Sequence, residues 1–207
     1  VEVNHLFDRV EELALTNSLS QGSSARITIY REGEGLYTPQ QDKASYVIQT
    51  FKEATNLFLV NACGLNVDFY SEYKKQKNLL SNIKSANSLI YVLASLEKKK
   101  LQLDDLLLFN DSEYLAESTN SNLFMLKDGK LFTPPLTDAP LDGCMRKLVI
   151  DTFKVHQKSI TKDDLLLADE IFLSNSKGIR WVGSIKDKSF IESSYSKTIV
   201  DQLNTLI

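Results

Sequence analysis

Two apolar runs on either side of Asp128-Gly129 constrain the fold most tightly. Leu123–Leu126 and Leu131-Phe132 flank a dipeptide that tolerates positive φ at both positions, so the spacing predicts a β-hairpin with a two-residue turn. Pro134, Pro135 and Pro140 follow; they cannot extend a sheet and frame a loop. Upstream, Leu106–Phe109 is wholly apolar, as a buried strand would be. Further strand signals lie at Ala25–Tyr30, Tyr46–Phe51, Glu170–Leu173 and Trp181–Ile185.

Helical spacing places Val3, Leu6, Phe7, Val10, Leu13 and Ala14 on one face over residues 3–15. It does the same for Ala86, Leu89, Ile90, Leu93 and Leu96 over Lys84–Lys98. A helix of about a dozen residues, Met145 to His156, is expected after Gly143. Another spans Ile160–Ala168, with Thr161-Lys162-Asp163-Asp164 as its start signal. Ile199, Val200, Leu203 and Leu206 form the face of a closing helix. Ser18–Ser24 reads as a polar loop, and Gly33, Gly35 and Pro39 mark a turn-rich excursion. The fold class is α/β in the α+β sense. The pattern becomes irregular around residues 54–60, which sets an expected boundary between residues 1–56 and 57–207.

Composition narrows the function classes. The 8 glycines fall well below the roughly 14 that average usage would give, so a Gly-rich architecture is excluded. A net charge of -3 argues against bulk nucleic-acid affinity, which needs clustered cations. The short basic runs Lys74, Lys75, Lys77 and Lys98–Lys100 read as a solvated loop and a helix end. Cys63 and Cys144 have no partner motif and suit free thiols in a reducing, cytoplasmic compartment. His5 and His156 are too few for a zinc site, so no metal is expected. No run approaches a membrane span, and Val1–His5 lacks signal-peptide character.

Four local features carry the chemistry. They are Lys84 in Asn82-Ile83-Lys84-Ser85-Ala86-Asn87, Glu117 in Ala116-Glu117-Ser118-Thr119-Asn120-Ser121-Asn122-Leu123-Phe124, the segment from Pro134-Pro135 through Asp142-Gly143-Cys144-Met145-Arg146, and Glu170-Ile171-Phe172-Leu173-Ser174-Asn175-Ser176-Lys177-Gly178-Ile179. Lys84 and Glu117 stand 33 residues apart. Singly, each has an ordinary structural reading as a surface lysine, a turn acceptor or a helix entry. In order, they resemble the class IV aminotransferases, the fold-type IV pyridoxal-phosphate enzymes. The resemblance covers roughly residues 20–207 and is specific from 82 to 182.

The resemblance implies a D-amino-acid aminotransferase-like two-domain fold. Residues 1–56 would be the remainder of a small α/β domain and 57–207 a larger cofactor-binding domain. It also implies pyridoxal 5'-phosphate as cofactor, a small amino substrate and a homodimer. Lys84 would be the Schiff-base lysine and general base. Glu117 would hold the ring nitrogen protonated. Gly143, Cys144 and Met145, opening a helix, would receive the phosphate with the Ser176 hydroxyl. Asn120 and Asn122 would organise the turn after Glu117. Arg26, Arg31 and Arg180 are candidates for the substrate carboxylate, set against a reading as strand-edge or surface arginines.

Within that family, three departures bear on the member. Branched-chain aminotransferases place a tyrosine five residues after the lysine, where this chain has Leu89. D-amino-acid aminotransferases carry an Arg-x-His element where this chain has Gly33-Glu34-Gly35-Leu36-Tyr37-Thr38. Met145 stands where the aminotransferases usually have threonine, and Gly-x-Met-Arg is more like the aminodeoxychorismate lyases. The expectation is a lyase releasing pyruvate and 4-aminobenzoate in folate biosynthesis. A D-amino-acid or branched-chain aminotransferase is the alternative, and a truncated, non-catalytic homologue the alternative from another class. The family's early strands and their phosphate-binding arginine have no match here, so an absent N-terminal part is expected.

Overall fold

The computed structural model describes residues 2–19, 22–191 and 194–206. Ser20 and Gln21, in the polar loop expected over Ser18–Ser24, lie outside the described residues. The chain divides into two compact units, Val1–Leu57 and Phe58–Ile207.

In the first unit, helix α1 (Val3–Thr16) precedes an antiparallel ribbon of β1 (Ser23–Arg31) and β2 (Ala44–Lys52). The register runs from Ser23 opposite Lys52 to Arg31 opposite Ala44. The helix is tied to β2 by His5 Nε2 and the Tyr46 hydroxyl at 3.1 Å and by Asn17 Nδ2 donating to Thr50 Oγ1 at 2.9 Å. Of its apolar face only Leu6 is buried.

The second unit holds β3 (Leu65–Lys75), α2 (Leu89–Lys100), β4 (Asp105–Asn110), β5 (Leu115–Ser118), β6 (Asn122–Lys127) and β7 (Lys130–Thr133). There follow α3 (Cys144–Thr152), β8 (Val155–Gln157), α4 (Lys162–Leu166), β9 (Glu170–Asn175), β10 (Gly178–Ile185) and α5 (Ser194–Asn204). Strand β10 pairs β3, β3 pairs β4, and β4, β5 and β6 follow in antiparallel order. Strand β9 pairs both β6 and β10, so six strands close into a ring.

Alternation on those strands sorts side chains between two cores. Leu123 and Met125 of β6 and Ile171 and Leu173 of β9 join Val67, Leu107, Leu115 and Val182 in one cluster. Phe124 and Phe172 face the other way, stacked with centroids 4.9 Å apart, and α3 and α5 cover them with Met145, Val149, Ile199, Val200 and Leu203. On β4, Leu106 and Leu108 pack under α2 against Tyr70 and Ala94. Burial on both faces is why Leu106–Phe109 carries no alternation.

The hairpin is present as β6–β7, with Asp128 and Gly129 at φ 50° and 69°. Three expectations are corrected. Helix α2 begins at Leu89, not Lys84, because Ser85, Asn87 and Ser88 favour turns and caps over helix interiors. Helix α3 ends at Thr152, not His156; Val155 instead pairs in parallel with Leu131 as β8. Lys75 is not in a solvated loop; it is the buried last residue of β3.

Candidate active site

Glu117 is the third of the four residues of the short strand β5 and is 3% exposed. Burying a carboxylate is costly without partners, and it has three. Oε1 accepts from the Lys75 ammonium and from the Tyr91 hydroxyl of α2, the latter at 2.6 Å. Oε2 accepts from the backbone N–H of Leu141 at 2.8 Å. Burial first, then the charge of Glu117 and the hydrogen bond to it, push the Tyr91 phenol far above its usual range, so it stays a donor.

Leu141 belongs to the loop that joins β7 to α3, and that loop gathers the other motifs. Asn82 Nδ2 donates to the carbonyls of Leu136 at 3.0 Å and Pro140 at 2.6 Å. Asp142 N–H donates to the Asn82 carbonyl at 3.0 Å. Asn122 Nδ2 donates to the Leu141 carbonyl at 2.8 Å. The segments around residues 82, 117–122 and 140–143 are thereby held in one frame. Lys84, two residues past Asn82, is exposed and makes no hydrogen bond or ion pair among the described residues.

Gly143 is the N-cap of α3, which has no side-chain cap. A Cβ at Gly143 would collide with Asn122 Oδ1, so any larger residue there would have to displace the Asn122 side chain. The first-turn amides of α3, Cys144 and Met145 among them, have no intrahelical partners and point out of the helix end. Cys144 is exposed; the Met145 side chain is buried in the outer core. Arg146 is buried, donating to the Pro134 carbonyl and Gln157 Oε1, each at 3.0 Å.

Ser176 is exposed in the turn from β9 to β10. That turn is tied to the one after Glu117, since Asn175 Nδ2 donates to Ser121 Oγ at 2.9 Å. Arg180, on β10, donates to Asn120 Oδ1 at 3.1 Å and Ser121 Oγ at 3.3 Å, and lies 3.8 Å from Asp105 Oδ2. Asn120 and Asn122 do organise the turn and its neighbours. Arg26 and Arg31 belong to the first unit. Arg26 lies 5.5 Å from the Phe51 ring centroid and Arg31 pairs with Asp42 at 2.7 Å.

Sequence reasoning missed Lys75, Tyr91 and Asn82. Strand β3 buries Leu65, Val67, Tyr70 and Lys75, which follows no clean period of two, so no pattern singled Lys75 out of its lysine run.

The model of the family described as amino-transferase class IV matches residues 2–185. The chain belongs to the class IV aminotransferases. Members of this family are pyridoxal-phosphate enzymes. An aminodeoxychorismate lyase of Vibrio harveyi is 35% identical over 103 residues, covering 47% of this chain and 38% of that protein. A branched-chain-amino-acid aminotransferase of Escherichia coli K12 is 40% identical over 68 residues, covering 30% of this chain and 22% of that protein. The chain thus matches well under half the length of these curated relatives. A Legionella pneumophila crystal structure, provisionally named a 4-amino-4-deoxychorismate lyase, superposes with a TM-score of 0.86 at 25% identity. That superposition covers 99% of this chain and 77% of the other. Among the described residues, no helix is long and apolar enough to cross a membrane.

Proposed function

We propose that this chain provides the cofactor-binding part of a pyridoxal-phosphate enzyme acting on a small amino substrate, and that its reaction is the aminodeoxychorismate lyase one. The observation that carries the cofactor reading is the frame around Glu117. A buried carboxylate, an uncommitted lysine and an uncapped helix N-terminus come from three distant segments held together by backbone and asparagine hydrogen bonds. These groups fit the cofactor: a carboxylate for a protonated ring nitrogen, an amine for its aldehyde, and amides for its phosphate.

When bound, the cofactor supplies an electron sink for the electrons left on a deprotonated substrate carbon. Lys84 would hold it covalently, give way to the substrate's amine, and then take the ring proton beside that amine. Pyruvate would then leave, and aromatisation to 4-aminobenzoate makes the step downhill. Glu117 would hold a proton at the ring nitrogen. The first-turn amides of α3 and the Ser176 hydroxyl would orient the phosphate.

Met145 and Leu89 favour the lyase over the aminotransferases, and the Vibrio harveyi relative aligns over the longer stretch. The higher identity of the Escherichia coli relative supports a second reading, a branched-chain aminotransferase. Incubating the purified protein with aminodeoxychorismate should release 4-aminobenzoate and pyruvate in equal amounts. Transfer from a branched-chain amino acid to 2-oxoglutarate, without 4-aminobenzoate formation, would select the second reading. Protein that takes up no pyridoxal phosphate contradicts both.

A further inference from the structure

Strand β3 ends in two lysines that point different ways. Lys74 reaches Glu113 at the surface. Lys75 turns inward, is 7% exposed, pairs with Glu117 Oε1 and lies 5.4 Å from the centroid of the Tyr91 ring. Removing two charges from water is expensive, so a buried pair is poor evidence of a device for stability alone.

The arrangement of donors suggests what the pair is for. A carboxylate oxygen has two lone-pair sites. On Oε1 both are taken, by Lys75 and Tyr91. On Oε2 one is taken, by Leu141 N–H, and one is left. As one end of a buried ion pair, Lys75 has no lone pair to offer an aldehyde; Lys84 carries no such commitment.

We propose that Lys75 is a positioning residue, which with Tyr91 fixes Glu117 so that the remaining lone pair of Oε2 receives the cofactor's ring nitrogen, and whose ammonium shares the carboxylate's charge with that nitrogen. This rests on the pyridoxal-phosphate reading above. It implies that the cofactor's ring sits beside a fixed positive charge contributed by β3. A nearby cation loosens protons on the bound cofactor, and removing it tightens them.

The test is a pH titration of the visible absorbance of bound pyridoxal phosphate in the wild type, Lys75→Met, Lys75→Gln and Lys75→Arg. The Gln variant keeps a donor to Glu117 without the charge. The expected result is an upward shift of the midpoint by about one pH unit or more in the two neutral variants, as one unit charge several ångströms away can produce, with Lys75→Arg close to wild type. Loss of colour from both neutral variants but not from Lys75→Arg also supports the assignment. Wild-type midpoints in either neutral variant overturn it. So does loss of colour from all three variants while their circular dichroism remains native. A wild-type protein that never takes up the cofactor overturns the cofactor reading and this assignment together, whereas a coloured wild type with unshifted neutral variants overturns the assignment alone.

Discussion

Glu117 and Gly143 show how single residues set the site. Glu117 is buried within β5, and the donors on it come from β3, α2 and the loop before α3. Gly143 lets that loop close on Asn122. Gly143→Ala would force the asparagine and the α3 entry apart, a crowding cost of about 1–3 kcal/mol. Urea denaturation should register that loss, and equilibrium dialysis a weaker affinity for pyridoxal phosphate. An unchanged urea midpoint would mean that the close approach at Gly143 carries no energetic weight. Tyr91→Phe removes one donor from a buried carboxylate, which costs about 1–3 kcal/mol. Its thermal midpoint should fall, with no new titration near neutral pH, since the Tyr91 phenol is held protonated far above its usual range.

At the scale of elements, α4 offers the most self-contained prediction. Thr161 and Asp164 form a reciprocal capping box, with Lys158 Nζ 3.2 Å from the Asp164 carboxylate. Burial by itself would raise the Asp164 carboxyl, but donation from Thr161 and the charge of Lys158 outweigh it and hold it below the usual 3.8. A depressed carboxylate stabilises the fold fully above its unfolded value and loses that contribution as pH falls through the lower folded one. Asp164→Asn should therefore lose stability at neutral pH and show a flatter acid limb below pH 3.8. A stability–pH curve parallel to wild type would contradict it.

The cap at α4 was legible because Thr161 and Asp164 are three residues apart in sequence. The hairpin was legible because Asp128-Gly129 is a local turn signal. Strand β3 was not, since its partners β4 and β10 come from distant parts of the chain and its outward residues break the alternation. The end of α3 is not legible for a related reason: Val155 is compatible with helix, and only its pairing with Leu131 makes it a strand. Within the site, Lys84, Glu117 and Gly143 were marked by motif, but Lys75 became visible only once the fold carried it to Glu117.

At the scale of the whole molecule, the two units differ in how much they bury. The six-stranded ring is packed on both faces, while β1 exposes nearly every residue. Amides of β4, β6 and β9 should accordingly exchange slowest with deuterated solvent and those of β1 and β2 much faster. Equal protection in both units would contradict this ordering. In the proposed function, the second unit presents Lys84 to pyridoxal phosphate and keeps Lys75 for Glu117. Borohydride reduction of the loaded protein, followed by peptide mass spectrometry, tests it directly. A phosphopyridoxyl group is expected on Lys84 and none after Lys84→Ala; label on Lys75, or a Lys84→Ala variant labelled as fully as wild type, would contradict this assignment.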